Sequence, residues 1–550
     1  MKLARIILSA ALALVALAAS AKDPVIRIVP QPERIELRKG TFKAVGASVN
    51  CDDAFDLRTR TAIQDFAARL SLVSGRISSF AVPMGIASSA ESNSIKGFAF
   101  IRNRSLGAEE YSIEVGQKAV KVYASGYNGV LYAISTIKQM LPESIYGTAV
   151  DEKADWHIPC AVISDKPRFA YRGMHLDCSR HFFSVDAVKR YLDIMAVYKL
   201  NRFHWHLSDD QGWRIEIQRY PELTLIGGYR SGTMVGRDFG SDDGIRYGGY
   251  YTRDQIREVV EYADKLGITI VPEIDLPGHM LAALSAYPWL GCSGGPYEVW
   301  HKWGVADEVL CAGKETTYEF LENVLAEVAE LFPGEYIHIG GDECPKTEWE
   351  KCPDCQAKIE ELGLKGDDRF SAEQYLQCYV TSRMQDFLAT KGKKIIGWDE
   401  ILEGELAEGA TVMSWRGIEG GIEAASHGFD AIMTPTGYCY FDYMQSRDRD
   451  NEPVGIGGFL PLDKVYGFEP LEGMPAGAEK HILGVQANLW TEYIASEEHL
   501  HYMLLPRMLA LSEVQWCQPA NKDFEAFKTK LAEHELKILE TMGYNYRKLD

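Results

Sequence analysis

The feature that most constrains this chain is a strand-then-helix repeat that begins near Tyr171 and continues to about Asn488. Short apolar runs of strand length recur at 171–176, 202–207, 268–274, 336–340, 394–398, 411–415, 430–434 and 482–488. Helix-period segments lie between them. One is 184–199, with Ser184 placed to cap its first turn; another is 253–266, with Gly267 just past its end. Two more fall at about 316–331, before Pro333-Gly334, and at about 371–390. Alternating strands and helices mean a parallel sheet, and eight such units point to a closed (β/α)8 TIM barrel. A doubly wound open sheet is the rival topology. A last amphipathic segment, about 522–541, is expected to pack outside the barrel.

The preceding residues read as a smaller α/β domain. Apolar and polar residues alternate in Arg34-Ile35-Glu36-Leu37, Tyr111–Val115 and Val120–Tyr123, the period of half-buried strands. Val130, Leu131, Ile134, Ile137 and Leu141 then repeat at helical spacing. The stretch Ile163–Phe169, punctuated by Pro167, reads as the join to the next domain. The expected division is 22–165 for the first domain, 166–520 for the barrel and 521–550 for the terminal helix. Residues 1–21 read as a signal peptide: Lys2 and Arg5 precede an apolar run from Ile6 to Ala18, which ends in Ala19-Ser20-Ala21. That pattern predicts export, to the periplasm or beyond. No later stretch is long and apolar enough to span a bilayer.

Composition narrows the partners. Hydrophobic residues make up 46% and charged residues 25%, which excludes a disordered chain. With 58 basic and 78 acidic residues the formal charge is -20, against nucleic-acid binding, which needs a cationic surface. A neutral substrate such as a sugar fits. No pattern specifies an oligomer. The cysteines number eleven. Cys344, Cys352 and Cys355 lie close together, but a zinc cluster needs a fourth ligand and none follows nearby, so no metal site is expected. Cys292 and Cys311 bracket a Gly-, Trp- and Pro-rich loop and are candidates for a disulfide.

Active sites of this barrel class lie at the C-terminal ends of the strands. Just past them the chain carries Asp177–Arg180, Ser208-Asp209-Asp210, Asp275–His279, Asp342-Glu343, Trp398-Asp399-Glu400, Trp415-Arg416, Tyr438–Asp442 and Trp490-Thr491-Glu492. Singly, each has a plain reading: Asp caps helices, Trp fills cores, His279 could shape a turn and Arg180 could pair internally. Together, carboxylates with Trp and few cations suit a ring-shaped, hydroxyl-rich neutral ligand, and point to glycoside hydrolysis. Asp342 and Glu343 are adjacent, and on a strand their side chains would face opposite ways. Both reach one pocket only if Gly340-Gly341 lets the chain leave the strand. Asp399-Glu400 lacks that Gly-Gly and reads as structural.

His338-Ile339-Gly340-Gly341-Asp342-Glu343 resembles the H-x-G-G-D-E motif of family 20 glycoside hydrolases, the β-N-acetylhexosaminidases. The resemblance extends through Arg172-Gly173, Ser179-Arg180-His181, His204–Trp213, Pro272–Asp275, Pro277-Gly278-His279, Gly397–Glu400 and Leu489–Glu492, and covers roughly 25–520. It implies a non-catalytic first domain, no cofactor, and removal of terminal non-reducing β-linked GlcNAc, or GalNAc, from a glycan by a retaining, substrate-assisted route through an oxazolinium ion. It further implies that Glu343 is the general acid/base and that Asp342 stabilises the 2-acetamido nitrogen. Tyr440 would bond the acetamido carbonyl, and His279 with Asp209 would support Glu343. Arg180, Glu492 and Asp442 would hold sugar hydroxyls, while Trp398, Trp415 and Trp490 would line the acetamido pocket and stacking floor. The rivals are a glycosidase with a direct carboxylate nucleophile and a catalytically silent glycan-binding protein. The loops 227–252 and 287–312 are expected to shape the aglycone side.

Overall fold

The computed structural model describes residues 25–86 and 95–549. The expected signal peptide lies outside the described residues. Two bodies follow in chain order. The first is a seven-stranded mixed sheet in the order 34–43, 157–165, 111–115, 119–124, 97–102, 49–51, 80–81, with helices Leu57–Ser74 and Tyr127–Gln139 packed together against it. The strands 97–102 and 157–165 and the helix 57–74 were not legible from alternation. Gly97–Ile101 is buried throughout, so it carries no period-two signal. The last strand runs to Asp165, so Ile163 to Asp165 belong to the sheet and the join begins at Lys166.

The second body is a closed barrel of eight parallel strands: 171–177, 202–206, 269–273, 336–338, 394–398, 411–414, 431–433 and 482–487. The last pairs with the first, Gly484 opposite Tyr171, so no sheet edge remains. Ser184 caps helix Val185–Val197 by accepting from Ala187 N–H. Thr252 with Gln255 and Ser371 with Gln374 form reciprocal capping boxes on helices Arg253–Lys265 and Ala372–Thr390. The fifth strand departs from the repeat. Its return holds only the short turn Asp399–Leu402 before the sixth strand starts at Thr411. The C-terminal segment is not one regular helix. Phe524–Lys530 and Leu536–Met542 flank a π turn at Leu531–Glu535, where buried Glu535 accepts a hydrogen bond from Tyr198 Oη at 3.0 Å. Among the described residues, no helix is long and apolar enough to cross a membrane.

All eleven cysteines are free thiols, so the expected Cys292–Cys311 disulfide is not formed. Those two sulfurs instead gather with Cys352 and Cys355, all four within 4.8 Å of one another. Cys344, close in sequence, points elsewhere, with its Sγ 3.8 Å from Pro345 O. A cavity of about 1140 Å³ lies between the two bodies, lined by Leu57, Tyr127, Leu131, Val197 and Leu266 among others, and holds none of the strand-end residues.

The two bodies are joined by buried charge. Lys199 Nζ, fully buried, lies 3.0 Å from Asp165 Oδ2 and donates to Tyr111 Oη at 2.8 Å, while Trp516 Nε1 donates to Asp165 Oδ1 at 2.9 Å. Arg172 reaches Glu109 Oε1 at 2.8 Å and Tyr132 Oη at 2.7 Å. Removing one partner of such a pair strands the other charge in a dry interior. Lys199→Met keeps most of the aliphatic stem and removes the charge. It is expected to lower stability by about 3–5 kcal/mol in urea unfolding, and Asp165→Asn in the same chain should recover part of the loss. An unchanged unfolding midpoint would show that the pair contributes nothing.

Candidate active site

The site begins where the fourth strand ends, at His338. Gly340 and Gly341 take φ of +65° and +98°, and Glu343 itself +46°. A Cβ on Gly340 would lie 1.7 Å from Asp275 Oδ1, so glycine is required there. This left-handed path carries the chain off the strand and turns both neighbouring carboxylates toward one imidazole. His279 Nε2 lies 3.7 Å from Asp342 Oδ2 and 3.6 Å from Glu343 Oε2. Its other nitrogen, Nδ1, lies 3.2 Å from both Asp209 Oδ1 and Asp210 Oδ2. His279 has φ +51°, so it too sits on a turn rather than on the third strand.

Asp209 is the junction of this network. His206 Nε2 donates to it at 2.7 Å and Arg180 Nη2 lies 2.9 Å away. Arg180 Nε donates to Gln211 Oε1 at 2.9 Å, and its guanidinium sits 5.0 Å from the Trp490 ring. The internal pairing weighed for Arg180 is therefore real, and it orients the side chain beside the site. Below, in the barrel interior, His206 Nδ1 also donates to Glu273. That carboxylate has His204 Nε2 at 3.0 Å and His338 Nδ1 at 2.9 Å, and it accepts from Trp398 Nε1 at 2.9 Å.

The opposite wall is aromatic. Tyr440 stacks on Trp415, with centroids 6.2 Å apart and planes 26° apart. Trp415 Nε1 donates to Glu400 Oε2 at 2.9 Å, and its backbone N–H donates to Asp399. The second acidic pair thus holds this wall in place. Trp398 is 1% exposed and lies 5.9 Å from Trp490, in a cluster with Val271, Ile396 and Ile432. It is part of the barrel interior under the floor. Asp442 is buried beside Glu492, which also acts on Arg180. The residues selected from sequence therefore gather at the C-terminal end of the barrel, with Trp398 beneath the floor rather than in the pocket.

The charges divide in two groups. Burial opposes a proton on His279, but Asp209 and hydrogen bonds to Asp209, Asp210 and Glu343 outweigh it and hold the imidazole protonated. Burial would also raise Asp209, yet Arg180 and His279 keep it ionised. The imidazole of His279, 3.6 Å away, holds Glu343 below the usual carboxylate range. Asp342 goes the other way. Burial raises it to about 6, against the pull of His279 and with the push of Glu273 and Glu343. Burial and the nearby Asp342 lift Glu400 to about 8. Asp342 Oδ1 and Asp442 Oδ1 are buried acceptors without a donor, ready for N–H or O–H groups of a ligand.

Four supporting residues carry roles that the sequence reading did not assign. Asp210 accepts from Leu281 N–H at 3.0 Å and Ala306 N–H at 3.2 Å while facing His279. Asp275 fills the space that Gly340 leaves, and Gln211 holds Arg180. Glu273 had a visible signal: it is a charged residue inside an otherwise apolar strand, like His204, His206 and His338. The loops expected to shape the far side meet each other, Met234 N–H donating to His301 O at 2.9 Å and Trp303 lying 5.2 Å from Arg230.

A sequence model of glycosyl hydrolase family 20, catalytic domain, matches residues 169–519, and one of glycosyl hydrolase family 20, domain 2, matches 25–166. The chain is 44% identical over 443 residues to a beta-hexosaminidase of Porphyromonas gingivalis, a match covering 80% of this chain and 55% of that protein. A beta-hexosaminidase of Vibrio furnissii is 38% identical over 414 residues, 74% of this chain and 66% of that one. The chain thus spans about half to two thirds of the length of these relatives. The crystal structure of the family 20 exo-β-N-acetylglucosaminidase of Vibrio harveyi with N-acetylglucosamine superposes with a TM-score of 0.80 at 34% identity, over 95% of this chain and 78% of that one.

The raised Asp342 carboxyl makes the site a source of strain. A carboxyl whose folded value, about 6, exceeds its ordinary 3.8 binds its proton more tightly in the fold. The stability it contributes is complete below about pH 4 and is lost as pH rises through about 6. Asparagine has no such dependence. Asp342→Asn is expected to be more stable than the parent at pH 7 by about 1–3 kcal/mol, with the advantage gone near pH 4. Urea unfolding at the two pH values measures this. A variant less stable at pH 7 would contradict the strain.

Proposed function

Because the chain belongs to glycosyl hydrolase family 20, we propose that it is an exo-acting β-N-acetylhexosaminidase, removing terminal β-linked GlcNAc or GalNAc from glycans with retention of configuration. The observation that carries this reading is the left-handed Gly340-Gly341 turn, which sets Asp342 and Glu343 side by side against one protonated His279. Neighbouring carboxylates that converge on one imidazole are poorly placed to flank a sugar as acid and direct nucleophile. They can serve a substrate that brings its own nucleophile. The Vibrio harveyi neighbour binds N-acetylglucosamine, whose 2-acetamido oxygen is such a group.

Each step then has its residue. Glu343, 44% exposed at the mouth, gives its proton to the glycosidic oxygen as the acetamido oxygen bonds to C1 and the C1–O bond breaks. The unpartnered Asp342 Oδ1 accepts the acetamido N–H and balances the positive charge that grows on the oxazolinium. Tyr440 Oη, on the ring stacked on Trp415, donates to the acetamido carbonyl. Water then attacks C1 as the bond from C1 to the acetamido oxygen breaks, loses a proton to the Glu343 carboxylate and restores the starting configuration. Without ligand, His279 keeps Glu343 ionised. A sugar ring that covers the exposed carboxylate removes its water and favours the protonated acid. Arg180, Glu492 and Asp442 supply the polar contacts for ring hydroxyls, and Trp490 supplies the apolar face. Export is part of the proposal and rests on the amino-terminal pattern. Amino-terminal sequencing of mature protein should start at Lys22, and retention of Met1 in protein recovered from the cell interior would end it.

Asp342→Asn separates substrate assistance from a direct nucleophile. It should lower kcat by about 10²–10³ with a smaller change in KM, because the charge it stabilises develops only toward the transition state. Azide should not rescue it. The unmodified protein should cleave aryl β-N-acetylglucosaminides and act very poorly on the matching β-glucosides. Efficient β-glucoside turnover, or azide rescue with an inverted product, would remove the roles given to Asp342 and Tyr440.

A further inference from the structure

Four of the eleven cysteines converge at one point from three stretches of chain. Cys292 follows the turn Pro288–Leu290, and Cys311 closes the loop through the Gly291–Leu310 bridge. Cys352 precedes helix Pro353–Leu362 and Cys355 sits in its first turn. Sγ separations are 3.9 Å for Cys292–Cys355, 3.7 Å for Cys311–Cys352 and 3.6 Å for Cys311–Cys355. A disulfide bond is about 2.05 Å and pairs each sulfur with one partner. Here Cys311 is equally close to two. Four thiolates held tetrahedrally at about 2.3 Å from a zinc ion lie about 3.8 Å from each other. The backbone is shaped around this point. A Cβ on Gly313 would lie 2.1 Å from Asp354 C and 2.4 Å from Cys355 N, so only glycine lets the turn after Cys311 press on the helix start. Three of the four sulfurs belong to buried residues and Cys292 is half-buried.

We propose that Cys292, Cys311, Cys352 and Cys355 form a structural zinc site. Binding takes one divalent zinc ion, and the thiols release their protons to solvent. With four protein sulfurs no coordination position is left for water, so the ion holds chain and performs no chemistry. What it holds is specific. Loop 292–311 donates Ala306 N–H to Asp210, and Leu310 N–H to Pro277 O at 3.0 Å, two residues before His279. Trp349, in the helix between Glu343 and Cys352, donates Nε1 to Leu310 O at 2.9 Å. The site therefore fastens the segment after Glu343 to the loop that braces the partners of His279. From sequence the cluster was invisible because the two missing ligands lie some forty to sixty residues upstream of the C-P-D-C pair.

The full chain, purified without chelator and measured by inductively coupled plasma mass spectrometry, should carry about one zinc per molecule, with a sulfur-only first shell at about 2.3 Å in X-ray absorption. Cys355→Ser should fall to background zinc, while Cys51→Ser, in the first domain, should keep it. If Cys355→Ser does not fold, a mercurial thiol reagent with a zinc dye, applied to the parent protein, should release the same single equivalent. Zinc-free protein with four alkylatable thiols at these positions would overturn the proposal. So would non-reducing peptide maps that link Cys292 to Cys355 and Cys311 to Cys352.

Discussion

A single buried carboxylate, Glu273, sets the terms for everything above it. It lies fully buried inside the barrel, where an isolated charge would be lost to protonation. It stays ionised because His206 and His338 bear on it, with His204 and the Trp398 indole N–H close by. Those partners come from the second, fourth and fifth strands, and Glu273 from the third. Only a closed barrel brings these inward positions to one point. Burial and the neighbouring imidazoles push His204 to about 4, so it stays neutral, while Glu273 and Asp209 hold His206 protonated. The charge is then handed upward. His206 pairs with Asp209, Asp209 with Arg180 and His279, and His279 with Asp342 and Glu343. The orientation of the residue at the mouth is fixed by an ion pair near the barrel centre.

This alternation of sign also explains why the site suits a neutral ligand. Arg180, His279 and Arg416 stand at the mouth, and each already faces carboxylates on the protein side. Around them stand Asp342, Asp442, Glu400 and Glu492, all pushed upward by burial. An anionic ligand would meet carboxylates with no cation to spare. Hydroxyl and amide donors would instead satisfy the bare oxygens of Asp342 and Asp442. The requirement for an N-acetyl group in the proposed reaction follows the same logic. A positive charge forming beside Asp342 relieves the strain of its ionised form at the moment the barrier is crossed.

What the sequence showed and hid follows contact range. All eight barrel strands were legible because a short, mostly apolar run bounded by polar turns is a local signal, and strand exits are its edges. The adjacency of Asp342 and Glu343 forced the prediction of a turn at Gly340-Gly341, and that turn is present. Cys292 and Cys311 read as a pair because sequence shows two neighbours across a loop, whereas space adds two more. Asp210 was passed over beside Asp209, since it takes a hairpin, Ser208-Asp209 against Gly212-Trp213, to bring both adjacent acids to one histidine. In the first domain, strand 97–102 is buried on both faces, so its period blurs. Helix 57–74 buries a single stripe, but polar Thr59 and Ser74 lie in it while Leu57 and Leu72 are exposed, which weakens the apolar pattern.

Trp398 shows how far a strand-exit reading carries. It is the last residue of its strand, the position at which the pattern expects a side chain facing ligand. Its indole N–H instead points down to Glu273, and its ring packs among Val271, Ile396 and Ile432. Trp415, one strand on, is half-buried and turns its N–H to Glu400. The difference lies in which acceptor each indole finds, because a buried Trp N–H needs a partner. Glu273 draws Trp398 inward and Glu400 holds Trp415 at the wall, where Tyr440 can stack on it. The same residue type at equivalent strand ends therefore acts as floor support in one place and as pocket wall in the other, and the carboxylate beneath or beside it makes the choice.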